Sequence, residues 1–234
     1  MSLIEEMIQK GKSNFVLIGE AGCGKSELAL NLALYLSKIQ TKSVHLFDLD
    51  MTKPLFRSRD IAEDKKFEGI NIHFERQFYD APTVVGGVNE LLNDDESIVV
   101  LDVGGDDIGA RSLGGYMLGA GRLKSTFLYV LNSFRPFCRD IDHVDRFLGE
   151  ILAVSHIGLD EIHLVDNPNV GVDTTIEDVL GGHKLMNEIV SPYKNIEMTC
   201  VKEEYVEEAK AEIDGEIFSM NMYLTYPWLQ AVCD

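Results

Sequence analysis

Residues 14–38 read NFVLIGEAGCGKSELALNLALYLSK. A short apolar run, NFVLIG, leads into a glycine-rich turn, and a long stretch with apolar residues throughout follows it. The run suits a buried strand and the stretch a helix packed on a sheet. The turn between them, Gly19 to Ser26, has the spacing G-x-x-x-x-G-K-S, that of a phosphate-binding loop. The motif acquires weight from its context, because it follows an expected strand and opens an expected helix.

The alternation continues along the chain. SVHLFDLD (43–50), a weaker GINIHFE (69–75), SIVVLDVGG (97–105), TFLYVLN (126–132) and EIHLVDN (161–167) read as strands. Helices are expected near 83–94, 139–154 and 174–190, then an apolar NIEMTCV (195–201), an acidic helix over 202–213 and EIFSMNMYL (216–224). Strands alternating with helices imply crossovers and a mainly parallel sheet. The expected fold is a doubly wound, three-layer α/β/α domain of the P-loop NTPase kind over 1–234. Ligands of such sheets sit at the carboxyl ends of the strands. The polar residues gather there: the glycine loop, Asp48 and Asp50, Asp102 with Gly104 and Gly105, Asn132, and Asn167.

The loop is expected to bind a nucleotide polyphosphate through Gly19, Gly22, Cys23, Gly24, Lys25, Ser26 and Glu27. Backbone N–H groups of residues 20–26 ring the β-phosphate, and the positive end of the following helix points at it. Lys25 reaches the β- and γ-phosphates and Ser26 ligates Mg²⁺. Cys23 reads as a small filler.

Asp48 and Asp50, two residues apart at a strand end, project to the same side of the sheet. One suits Mg²⁺ through water. The outer one, Asp50, suits orientation of an attacking water; the plainer alternative is that each acid caps its strand end. VVLDVGGD (99–106) is an apolar strand ending in an acid, which places Asp102 behind the metal. Asp102 and Gly105 also form D-x-x-G, in which the glycine N–H can answer to a γ-phosphate.

The order of glycine loop, D-x-D strand end and hydrophobic-D-x-x-G resembles the MinD/ParA-like branch of P-loop NTPases. CGKSELALNLALYL is similar to that branch's GKTTTAVNLA helix, and the likeness runs over about 14–190. The resemblance implies ATP with Mg²⁺, slow hydrolysis and nucleotide-dependent dimers. It implies that Asp50 polarises the attacking water and that Asn167 hydrogen-bonds the adenine. From the residues alone, Asn167 in DNPN also reads as a turn.

One position departs from that pattern. Glu20 stands where most of the branch carries a lysine that crosses the dimer interface to the partner's phosphates. A carboxylate would meet the polyphosphate with like charge, so Glu20 is expected to face away from it. Lys53, Arg57, Arg59 and Arg111 are the candidate replacement cations.

Composition narrows the class. The 234 residues carry 39 acidic and 21 basic side chains, a formal net charge of −18, which opposes binding to nucleic acid or anionic membranes. Four scattered cysteines, without a C-x-x-C, argue against a disulfide framework, a cluster carrier and a nitrogenase-iron-protein type of site. No secretion signal and no apolar run near the roughly 18–20 residues of a membrane span are present, so a cytoplasmic protein is expected. The end, MYLTYPWLQAVCD, is apolar rather than a basic membrane anchor, and the tyrosines near it are too dispersed for a kinase tail. The sequence thus points to an ATP- and Mg²⁺-dependent switch working as a homodimer or with a protein client. A phosphotransferase and a non-hydrolysing regulator are the alternatives.

Overall fold

The computed structural model describes residues 1–50, 64–74, 87–105, 107–117, 119–155 and 157–224. Eight strands form one sheet: β1 (Asn14–Ile18), β2 (Ser43–Asp48), β3 (Ile70–His73), β4 (Ser97–Asp102), β5 (Ser125–Leu131), β6 (Ile162–Asp166), β7 (Ile196–Lys202) and β8 (Glu216–Met220). Their order is β3-β2-β4-β1-β5-β6-β7-β8. Every pairing is parallel. From β1 the chain passes to β2 and β3 towards one edge, returns to β4 between β2 and β1, and then lays β5 to β8 outward to the other edge, which is the doubly wound arrangement.

The strands alternate in where they bury their side chains. Phe15 and Leu17 of β1 join Val44 and Leu46, Ile98 and Val100, and Leu128 and Val130 on one face. Helices α1 (Leu3–Gln9) and α2 (Lys25–Ile39) cover that face. Val16 and Ile18 join Phe47, Val99, Leu101, Phe127 and Tyr129 on the other. There they meet α3 (Val88–Asn93), α4 (Asp107–Tyr116), α5 (Ile141–Ser155) and α6 (Ile176–Val190). A short α7 (Val206–Glu212) packs through Ala209 and Ile213 against Val179 of α6 and Val201 of β7.

Helix α2 explains its own continuous apolar pattern. Leu28, Ala29, Leu30, Leu32, Ala33 and Leu36 are all fully buried, because the helix lies between the sheet and neighbours that include Leu3, Ile4 and Met7 of α1. Truncating Leu32 to Ala would cost about 2–5 kcal/mol.

The expected strands are all present. The acidic stretch 202–213 divides into a 3₁₀ turn, Glu203–Tyr205, and α7. EIFSMNMYL ends its strand at Met220, and 221–224 continue outside any strand. Two helices, α1 and α4, have no counterpart among the expected elements. Part of the helix expected over 83–94 lies outside the described residues.

Candidate functional site

The parallel register brings the strand-end residues to one rim. Asp48 stands opposite Asp102 on the adjacent strand, and Leu17 pairs with Asp102 on the other side. Next to Ile18 the chain turns through the glycine loop into α2. Gly24 is the N-cap of α2, with φ +97° and no side-chain cap hydrogen bond. The first-turn amides of α2 are therefore not answered by a capping side chain, the condition under which a helix N-terminus receives an anion.

Lys25 is almost entirely buried. Its Nζ donates to the carbonyls of Gly19 (2.9 Å) and Glu20 (2.7 Å), inside the curve of the loop. The Ser26 hydroxyl donates to Asp102 Oδ2. The Asp50 backbone N–H donates to Asp48 Oδ1 at 3.2 Å. Asp48, Asp50 and Asp102 are all buried. Among the described residues no three His, Cys, Asp or Glu side chains gather as a ready cage for a metal. The donor set at Ser26 and Asp102 is hard oxygen in two places, which fits a Mg²⁺ that keeps waters and phosphate oxygens among its ligands.

The second motif touches the first. A Cβ on Gly105 would lie 2.3 Å from Ala21 N and 2.7 Å from the carbonyl carbon of Glu20. The D-x-x-G backbone thus packs on the glycine loop at a distance that only a residue without a side chain permits.

A cavity of about 530 Å³ opens beside the loop. It is lined by Gly22, Gly24, Lys25 and Ser26 of the loop and by the apolar Val170, Val172, Met220, Met222 and Leu224 among others. Its volume is that of a small-molecule site. Asn167, next after β6, also lines the cavity. Its Nδ2 donates to the Cys23 carbonyl at 2.8 Å, and its buried Oδ1 has no hydrogen-bond partner among the described residues.

The walls are held in part by side chains, such as Lys202 and Asn31, that the sequence did not single out. Asn132 donates to the Asn169 carbonyl (2.8 Å). The buried Lys202 donates to the carbonyls of Val172 (2.5 Å) and Thr174 (3.1 Å), fixing the loop that follows β6. Glu27, expected among the nucleotide-binding residues, lines the cavity but commits its carboxylate elsewhere. It accepts from the amides of Tyr223 (2.5 Å) and Leu224 (3.1 Å). Burial pushes its carboxyl up to about 7, against those two hydrogen bonds. Asn31 pairs in both directions with the backbone of Asn221. Helix α2 therefore holds segment 221–224 as a wall.

Glu20 does not line the cavity. Burial raises its pKa, opposed by Lys25 and by His143 and Arg146 of α5. Its charge is also felt by the buried Tyr129 and Cys138 beneath α5. The charges that act on the carboxylate besides Lys25 are thus those of α5: His143, Arg146 and Glu150. Of the proposed replacement cations, Lys53, Arg57 and Arg59 lie outside the described residues, and Arg111 is an exposed residue of α4 that does not line the cavity. Arg135, after β5, does line it. Nothing local in the sequence marked it beyond its place three residues after the strand-end Asn132; its nearness to the loop comes from β5 lying beside β1 in the sheet.

No helix among the described residues is long and apolar enough to cross a membrane. No protein-family model matches the chain, and no curated protein matches it. Solved structures similar to it include the cell division protein FtsY of Thermotoga maritima, at 18% identity and a TM-score of 0.49, over 81% of this chain and 62% of that one. The BceF tyrosine kinase domain is similar at 17% identity and a TM-score of 0.43, over 68% of this chain and 71% of that one. The signal recognition particle 54 kDa protein of Aeropyrum pernix K1, solved with GDP, is similar at 17% identity and a TM-score of 0.40, over 92% of this chain and 42% of that one. The chain therefore spans less than two thirds of the length of the first and third of these structures.

Proposed function

We propose that the chain is a Mg²⁺-dependent ATPase of the MinD/ParA-like kind, a slow nucleotide switch acting as a homodimer or on a protein client in the cytoplasm. The observation that carries the reading is the continuity of the glycine loop, with its uncapped helix and buried Lys25, into an apolar cavity of about 530 Å³. A polar cradle for phosphates joined to an apolar pocket suits a nucleotide and little else.

The loop amides and the first turn of α2 bind the β-phosphate. Lys25 exchanges the Gly19 and Glu20 carbonyls for phosphate oxygens. Ser26 and Asp102, already in contact, would hold Mg²⁺, with Asp48 supporting from the adjacent strand; the ion neutralises phosphate charge. Asp50 accepts a hydrogen bond from the water that attacks the γ-phosphorus. Gly105, packed on Ala21, is placed to answer to the γ-phosphate. Asn167 has its amide nitrogen committed to Cys23, so the base meets the acceptor Oδ1. An acceptor matches the exocyclic amino group of adenine, whereas guanine would have to turn N1–H or its 2-amino group to it rather than O6; the first match makes ATP the expected nucleotide.

Titration of the protein with ATP and GTP in Mg²⁺ tests this reading. ATP is expected to bind more tightly, Lys25→Ala to abolish binding, and phosphate release to be slow. Unchanged affinity in Lys25→Ala would refute the phosphate-loop assignment. A labelled product other than phosphate, in cell extract, would favour the phosphotransferase.

A further inference from the structure

Arg135 sits in a tightly fixed piece of chain. Its N–H donates to the Asn132 carbonyl (2.9 Å), and its own carbonyl accepts from Cys138 (3.1 Å). The Asn132 side chain accepts from the Phe134 amide (3.0 Å), and Pro136 opens the following 3₁₀ turn. From this base the side chain lies along the glycine loop. A Cβ on Gly22 would be 3.6 Å from Nε, 3.7 Å from Cζ and 3.9 Å from Cδ of Arg135.

The guanidinium has no hydrogen bond or ion pair among the described residues, and its Nε is buried. That is costly for an arginine, whose donors are normally answered when water is excluded. It is also unexpected in a chain with 39 acidic against 21 basic residues. Arg122 and Arg146, by comparison, face Glu161 and Glu150. An unanswered cation, fixed at its base and bordering the same cavity as Lys25 and Ser26, is complementary to an anion in that cavity.

We propose that Arg135 contacts the phosphate chain of the nucleotide bound to its own subunit, supplying from the Gly22 side the cation that Glu20 cannot supply. The inference rests on the nucleotide-binding reading above. It makes the charge available in cis, without a second copy.

The test is titration of the full chain with ATP, ADP and adenosine in Mg²⁺, for the unaltered protein, Arg135→Ala and Arg135→Lys. Arg135→Ala is expected to weaken ATP binding by about 10- to 100-fold, the loss of a charge-assisted hydrogen bond to a desolvated partner. Adenosine affinity should stay within about twofold, since it carries no charge for the guanidinium to meet. Arg135→Lys should recover part of the loss as a point charge. Equal losses for ATP and adenosine would assign Arg135 to the nucleoside and overturn the proposal, as would no loss at all. Mixing Arg135→Ala with Lys25→Ala separates cis from trans. Restored ATP turnover in the mixture would overturn the cis assignment; the expected result is none. If the unaltered protein binds no ATP, both readings fail. If it binds ATP and only the Arg135 variants disagree, the nucleotide reading stands and this one falls.

Discussion

Asn167 and Gly24 meet at van der Waals limits: a Cβ on Gly24 would lie 2.1 Å from Asn167 Nδ2. The amide that occupies this space is the one that donates to the Cys23 carbonyl, so the end of β6 and the glycine loop share one contact. The geometry makes two residues from distant parts of the chain interdependent.

Gly24→Ala should therefore act twice. The methyl displaces Asn167 from Cys23, and the φ of +97° strains any residue with a Cβ. A stability loss of about 1–3 kcal/mol is expected from the strain together with the lost hydrogen bond. Adding Asn167→Ala removes the clash but not the strain, so the double variant should be less destabilised than the sum of the singles. Urea unfolding of the three variants measures this, and strict additivity would show that the two residues are not coupled.

Gly105→Ala tests the contact between the two motifs. The new methyl would meet backbone atoms of Ala21 and Glu20, which cannot rotate away as a side chain can. Either the loop or residues 104–105 must shift, at about 1–3 kcal/mol for overpacking of this kind. ATP affinity should fall with stability, because the displaced segment is the phosphate cradle. Wild-type affinity in titration would show that the loop tolerates the shift.

These contacts also mark where the sequence stops being informative. The glycine loop, α2 and the strand-end acids were legible because each carries its own local signal: glycine spacing, unbroken apolar runs, and an acid at a strand end. Parallel pairing then does the rest, setting Asp48 against Asp102. Helix α4 was hidden because it contains Gly109, Gly114 and Gly115, which lower intrinsic helicity. Tertiary packing requires two of them: a Cβ on Gly109 would lie 2.3 Å from the Gly104 carbonyl, and one on Gly114 2.3 Å from that of Val154 in α5. Helix α1 was hidden by its length of 7 residues, although Ser2 and Glu5 form a capping box. Arg135 was hidden because its nearness to the loop comes from β5 lying beside β1, a fact of topology rather than of local pattern.

A pH effect is expected at the other edge of the sheet. His45 Nδ1 and His73 Nε2 are 2.9 Å apart, and His73 stacks on Phe47 with ring centres 4.3 Å apart. Burial lowers the pKa of both, and His45 lowers that of His73 further. The folded state therefore binds fewer protons than the unfolded state just below the ordinary histidine value of about 6.5. Stability from this pair is present above that pH and is lost as pH falls through it. The melting temperature should drop more between about pH 7 and pH 5.5 in the wild type than in His73→Phe, which keeps the stack and removes one of the two titrations. Parallel pH profiles would remove the pair from the account.

Glu20→Lys would put at position 20 the loop lysine of the MinD/ParA-like pattern, yet a gain of function is not expected. Position 20 is buried, in the field of Lys25 and of His143, Arg146 and Glu150 of α5. A lysine there adds a like charge to those cations in a place with little water to screen it. A stability loss of about 1–3 kcal/mol follows from burying an ammonium beside Lys25, with Glu150 of α5 the acid that acts on this position to offset it. Glu20→Gln, which keeps the shape and removes the charge, should stay within about 1 kcal/mol of the wild type. Chemical denaturation reads the stabilities, and size measurement with and without ATP reads assembly. An ATP-dependent dimer in Glu20→Lys at wild-type stability would show that the side chain can leave its buried position and cross to a partner.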